Sequence, residues 1–163
     1  MKKNFFTLNK IDAEIINQLV SIYASAFNKF NFRNWSFKDF SGLINNGTSI
    51  YYYTYNNIIV GFAVIRFHQD FSEIITIAID RKYQRKQVGK NILNYIINRP
   101  NFNGDLILDV AIININAIQF YKNFGFKKIG YRKKYYLIFD GEEKGKKIDA
   151  IVMQLQLNNA ISE

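Results

Sequence analysis

The run Leu106-Ile107-Leu108-Asp109-Val110-Ala111-Ile112-Ile113 is apolar at odd and even positions alike. Successive side chains of a strand point to opposite faces of a sheet, so such a run needs cover on both faces. It predicts an interior strand, Asp105 to Ile113, with helices packed above and below it. It also sets one carboxylate, Asp109, among apolar neighbours, where a charge is costly unless it is paired or placed at an opening. Two readings follow: a base at the edge of a cleft, or an Asp satisfied by nearby backbone N–H groups.

The flanking segments supply the rest of a layered fold. Asp12 to Phe27 repeats apolar residues at Ile15, Ile16, Leu19, Val20, Tyr23 and Phe27, a helical period with Asp12 as N-cap. Trp35 to Leu43 reads as a shorter helix opened by Ser36. Ser49–Tyr55 and Ile58–Phe67 read as strands joined by Asn56-Asn57, a tight hairpin turn, and Ser72–Asp80 as a third strand. A polar, basic loop then leads into a helix with Val88, Ile92, Leu93 and Ile96 at helical spacing, ended by Pro100 and Gly104. Asn114 to Phe124 is a helix that stops at Gly125. Lys127–Tyr136 and Ile148–Leu157 are strands around a charged turn. This order predicts an α/β fold, one mixed sheet with helices on both sides, over a single domain spanning 1–163.

Composition narrows the chemistry. The chain has no Cys and one His, His68, which removes disulfides, thiol nucleophiles and multi-histidine metal centres. No uninterrupted apolar stretch is long enough to span a bilayer, and no signal core follows the basic start, so a cytoplasmic, metal-free protein is expected. The net charge of +9 calls for an anionic partner without choosing among nucleotide, nucleic acid and an RNA-rich assembly.

Three places have residues suited to chemistry. The first is the stretch Arg81 to Lys90. A helix N-terminus offers free N–H groups and a positive dipole end, and Arg81, Lys82, Arg85, Lys86 and Lys90 add charge for phosphates; the alternative is a solvated basic turn. The second is Asp109. The third is the pair Asn114 and Tyr121, seven residues apart on one helix and so on one side of it. Asn114 also suits an N-cap and Tyr121 also suits packing.

The order of these elements and residues resembles the GNAT superfamily of acetyltransferases, from Ile58 to Leu157 and more loosely through the N-terminal helices. Gln84-Arg85-Lys86-Gln87-Val88-Gly89 after a strand is similar to the family's Q/R-x-x-G-x-G/A acetyl-CoA motif, with Gln87 in place of the middle glycine. Ordinary helical φ/ψ is expected at Gln87. Asn114 to Phe126 is similar to the family's N-x-x-A-x-x-x-Y-x-x-x-G-F stretch. Tyr135-Tyr136 and the late Asp149-Ala150-Ile151-Val152-Met153 resemble the ribosomal-protein-alanine N-acetyltransferase branch.

The resemblance implies the acyl-CoA N-acyltransferase fold, a central and mostly antiparallel sheet, and direct acetyl transfer from acetyl-CoA to an amine, most readily a protein N-terminal α-amine. It places the general base, a Glu in that branch, on Asp109, and the proton donor on Tyr121. Main-chain groups of Ile77, Ala78 and Ile79 would hold the pantetheine arm. Arg85, Lys86, Gln87, Val88, Gly89 and Lys90 would hold the pyrophosphate, Asn114 would touch the cofactor, and Tyr135 and Tyr136 would form a peptide slot. A ribosomal protein is the implied partner, with no membrane and no required nucleic-acid contact, and with a monomer or homodimer. Rival readings are transfer to a small amine or Lys side chain, a nucleic-acid-binding module, and a silent acetyl-CoA sensor.

Overall fold

The computed structural model describes residues 2–44, 46–100 and 102–157. Strands β1 (Lys3–Thr7), β2 (Thr48–Tyr55), β3 (Ile58–Phe67), β4 (Phe71–Ile79), β5 (Asp105–Ala111), β6 (Lys127–Leu137) and β7 (Lys147–Leu155) join one sheet in the order β1-β2-β3-β4-β5-β7-β6. Helices α1 (Ala13–Phe27), α2 (Phe37–Leu43), α3 (Val88–Ile97) and α4 (Ile115–Phe124) connect them. Neighbouring strands are antiparallel except β4 and β5. The expected mixed sheet is the one observed. The strand β1 is an addition: Lys-Asn-Phe-Phe-Thr is too short for an alternating period, and it becomes a strand by pairing with the edge of β2.

Local chemistry sets the element ends. Asp12 caps α1 by accepting from Ile15 N at 3.1 Å, and Ser36 caps α2 in a capping box with Asp39. Asn56 and Asn57 both have positive φ, 49° and 65°, as a two-residue hairpin turn requires. Two apolar clusters then form on opposite faces of the sheet. One holds Val88, Ile92, Leu93 and Ile96 of α3 with Leu106, Leu108 and Val110 of β5. The other holds Ile16, Leu19 and Ile22 of α1 with Phe40, Phe62 and Val64. Each fully buried Ile, Leu or Phe among them contributes about 1.5–3 kcal/mol relative to exposure.

The parallel pair is short. It runs from Phe71↔Asp105 to Ile74↔Leu108 and then stops, while β4 stays paired with β3 to Ile79 and β5 with β7 to Ala111. The two strands therefore part in the middle of the sheet. A bulge lies at the point of parting: Val64↔Thr76 is followed by Ile65↔Ile74, so Ile75 has no partner on β3.

The closed end of this fork depends on Gly104, which leads into β5 with φ 64°. A Cβ there would stand 1.9 Å from the carbonyl oxygen of Asp70, at the turn before β4. Gly104→Ala should lower stability by about 2–4 kcal/mol through this backbone clash and the left-handed conformation. A denaturant titration should read it as a lower midpoint with an unchanged slope.

Candidate active site

On the α3 face the opening continues into a groove of about 940 Å³. Its floor is the free edge of β4. Asp80 N donates to Val60 O, so the groups of Ile77 and Ile79 fall on the opposite edge by the alternation of the pleat. The Ile79 carbonyl there accepts from Gln84 Nε2 at 3.0 Å. Ala78 also lines the groove, but in register with Phe62 it turns its main chain toward β3.

The groove ends at the start of α3. Asp12, Ser36 and Asn114 cap α1, α2 and α4 with their side chains, whereas Gln87 at the start of α3 makes no side-chain cap. The first N–H groups of α3 are left for a ligand. Arg85 and Gln87 are left-handed, with φ 59° and 65°. Gln87 followed by the right-handed turn of Val88 directs successive N–H groups into one concavity, a geometry that binds anions. Arg85, Gln87, Val88, Gly89 and Lys90 line the groove, whereas Lys86 of the same loop does not. The ordinary helical conformation expected at Gln87 is thus corrected: the position demands a left-handed residue, which is why a glycine suits it. Gly89 suits its position by size, since a Cβ there would press on the Phe120 ring of α4 at 3.0 Å.

A second chamber of about 290 Å³ occupies the fork itself and opens to the α1 face. Tyr121, Asn114, Ala117, Ile77 and Phe27 line both spaces, so the two communicate through the gap between β4 and β5. Asn114 caps α4 by accepting from Ala117 N at 3.3 Å and also lines both chambers, so the capping role does not remove it from the site. Tyr121 is buried, and burial alone pushes its phenol well above the ordinary tyrosine range. Among the described residues no protein group hydrogen-bonds its hydroxyl, which leaves a neutral O–H for whatever enters.

Asp109 stands on the other side of the gap. Leu106, Leu108 and Val110 enter the α3-face cluster, so the alternate residue Asp109 points to the α1 face. It lines the chamber with its side chain 12% exposed, and its Oδ1 accepts from Arg132 Nε at 2.9 Å. Of the two readings of this carboxylate, the structure combines an opening with an ion pair; the partner is a guanidinium rather than backbone N–H. Arg132 is held charged by that contact.

Tyr135 and Tyr136 reach the chamber because β6 is bulged. Arg132↔Ala150 is followed by Tyr136↔Ile148, so β6 has two extra residues here. Lys134, at φ 52°, donates its N–H to Asp149 Oδ1 at 2.8 Å, which fixes the bulge. Tyr136 donates to the Asp109 carbonyl at 3.2 Å and stacks on Phe32 at 5.1 Å. Burial, then the Asp109 charge, pushes its phenol up, and the same two causes raise Tyr135.

Several chamber residues were not singled out in the sequence. Glu73 of β4 lines the chamber, pairs with His68 Nε2 at 3.4 Å, and acts electrostatically on Arg132 and Tyr135. Its only sequence signal was a lone acid in an otherwise apolar strand. Tyr23 and Trp35, stacked at 5.1 Å, form the α1-side wall, and burial raises the Tyr23 phenol to about 12. Among the described residues no cluster of three or more acidic or His groups could hold a metal, and no helix is long and apolar enough to cross a membrane.

A sheet forked between two parallel strands, with an uncapped helix start on one face and a carboxylate chamber on the other, has counterparts among known proteins. Residues 14–126 match the acetyltransferase (GNAT) family, and the chain belongs to it: it is an acetyl-CoA-dependent N-acetyltransferase. The chain is 31% identical over 126 residues to the bS18-alanine N-acetyltransferase of Escherichia coli K12, covering 76% of this chain and 82% of that one. The Haemophilus ducreyi enzyme of the same description is 31% identical over 120 residues, 71% of this chain and 80% of its own. The crystal structure of the Escherichia coli ribosomal-protein-S18-alanine enzyme superposes with a TM-score of 0.78 at 25% identity, covering 95% and 94% of the two chains. A family member from Elizabethkingia anophelis, solved with acetyl-CoA bound, shares the fold with a TM-score of 0.70 at 18% identity, covering 95% and 98%.

The left-handed Gln87 yields a direct test. Gln87→Gly removes a conformational cost of about 1 kcal/mol and should leave stability equal or up to that much higher, while β-branched Gln87→Val should cost about 1–2 kcal/mol. Thermal unfolding with and without acetyl-CoA reads both, and Gln87→Val should also lose most of the ligand-induced rise in Tm.

Proposed function

We propose that the enzyme acetylates the N-terminal α-amine of a protein, of the ribosomal-protein-alanine type, within a single cytoplasmic domain. The observation that carries this reading is the two-sided fork: Tyr121 reaches the gap from α4, and Asp109 and Glu73 face it from the α1 side. The relatives that act on bS18 alanine support the choice of acceptor. So does the shape of the chamber. Asn31 O accepts from Phe139 N at 2.7 Å and Phe32 stacks on Tyr136, which joins the loop after α1 to the β6–β7 hairpin and narrows the approach to one suited to a chain end.

In this reading the acetyl donor lies in the α3-face groove. Its phosphates rest on the N–H groups and cations of residues 85–90, its pantetheine arm lies along Ile77 and Ile79, and Asn114 and Ala78 border it. The acceptor enters beside Tyr135 and Tyr136. Only a neutral amine attacks, and an α-amine with a pKa near 8 needs far less help than a Lys amine near 10.4. A carboxylate, directly or through water, takes that proton. Asp109 is one methylene shorter than the Glu of the branch and its Oδ1 is engaged by Arg132, so water-mediated transfer suits it. Glu73 gives the ammonium a second carboxylate on the same face. As the amine nitrogen bonds to the thioester carbon, negative charge gathers on the carbonyl oxygen, and an N–H on the free edge of β4 beyond Ile74 stabilises it. The carbon–sulfur bond then breaks, and Tyr121 gives its proton to the leaving sulfur.

Turnover of acetyl-CoA with an Ala-initiated peptide, its N-blocked form and a Lys-containing peptide tests the acceptor. Only the free Ala terminus should react well; equal rates on the blocked Lys peptide would overturn the N-terminal reading. Tyr121→Phe should lower kcat by about tenfold to a thousandfold with a smaller change in the KM for acetyl-CoA. Because burial raises the Tyr121 phenol, it stays protonated through the ordinary tyrosine range, so kcat should show no phenol-linked fall below about pH 10. An unchanged kcat in Tyr121→Phe would remove this residue from the mechanism. Asp109→Asn and Glu73→Gln, measured singly and together, apportion the base: the more damaging single change should lower kcat/KM by at least about tenfold, and the double variant should fall at least about tenfold further if both contribute.

A further inference from the structure

The excess charge of this chain is concentrated in two stretches. Residues 81–90 have five cations and no acid; residues 127–149 have eight cations and four acids; the remainder has nine of each, so the two stretches together hold the whole +9. In the first, Arg85 and Lys90 line the cofactor groove and Arg81, Lys82 and Lys86 flank them in sequence, beside the place that the reading above gives the phosphates of the acetyl donor. The second stretch has no such explanation. The reacting group of the acceptor is an ammonium, which cations repel.

This second stretch is β6 and the hairpin that joins it to β7. Among the described residues β6 is the edge strand, with no neighbour on its outer side, and every cation in the stretch is exposed. Arg132 is spent on Asp109 and Lys146 on Glu143. Lys127, Lys128, Lys133, Lys134, Lys144 and Lys147 have no acidic partner among the described residues. Between them stand exposed aromatic rings outside the chamber: Tyr131 at 59% and Phe139 at 52%. A row of cations interleaved with accessible rings suits a strand of phosphodiesters with unstacked bases, because the charges follow the backbone and any base has a face to stack. An acidic protein surface would use the cations and leave the rings unexplained.

We propose that the β6–β7 hairpin edge is a docking surface for single-stranded RNA. The same hairpin delivers Tyr135 and Tyr136 to the chamber, so RNA held on its outer side lies next to the acceptor entrance. Combined with the N-terminal reading above, on which this placement rests, the surface favours acceptors presented on an RNA-containing particle over free peptides.

The test is binding of a labelled, unstructured twelve-nucleotide RNA, read by fluorescence anisotropy at saturating acetyl-CoA so that the cofactor loop is filled. Two variants of equal charge are compared with the native chain: Lys127→Ala/Lys133→Ala/Lys144→Ala/Lys147→Ala on the hairpin, and Lys2→Ala/Lys3→Ala/Lys10→Ala/Lys38→Ala elsewhere. The hairpin variant should bind at least tenfold more weakly, with a salt dependence shallower by about 2–3 in log–log slope, and the control should change less than twofold. Tyr131→Ser should weaken binding without altering the slope. Turnover of a free Ala peptide should stay within twofold in every variant, which separates this proposal from failure of the acceptor assignment. Equal losses in both lysine variants, displacement of the RNA by polyglutamate at equal charge concentration, or no binding at 50 mM salt would each overturn it.

Discussion

β4 and β5 run parallel, and a parallel pair can be held together only as far as its ladder extends. Here the ladder covers Phe71–Ile74 and Asp105–Leu108, after which each strand follows its other neighbour. The closed end is fixed by Gly104 against Asp70, and the divergence coincides with the bulge at Ile75. An opening through the middle of a sheet would ordinarily leave backbone groups stranded. The molecule places its two chambers there, so those groups face open space rather than apolar side chains. The apolar clusters on the two faces hold the sheet rigid around the gap.

The division of labour between the faces follows from side-chain alternation. Along β5 the even residues enter the α3-face core and the odd ones face α1, so Asp109 is separated from Tyr121 by the thickness of the sheet. Under the proposed mechanism this separation keeps the base and the acid on opposite sides of the reacting carbon. One proton leaves the incoming amine and another reaches the departing sulfur, with no protein nucleophile between them. The absence of Cys and the single His in the sequence agree with such a route.

Much of the fold was legible in advance because it is written in short-range patterns. The caps Asp12, Ser36 and Asn114, the Asn56-Asn57 turn and the stop at Gly125 each act within a few residues. The strand β1 escaped because its existence depends on the edge of β2. Gln87 was misread for a related reason: its identity says little about φ, and the left-handed conformation is imposed by the loop that must turn into α3. Glu73 was passed over because a single acid in a strand gains meaning only from what stands opposite it.

The sequence by itself determined the layers and the residue types available for chemistry, since hydrophobic period and capping are properties of adjacent residues. It also placed Asp109, Asn114 and Tyr121 in the segments that border the site. Tertiary structure decided what these residues meet. The ion pair of Arg132 with Asp109 spans 23 positions, and the Tyr136 bond to the Asp109 carbonyl spans 27. The fork itself is a relation between two strands that share no local pattern. Contacts of that separation depend on how the whole sheet is ordered, which no window of neighbouring residues contains.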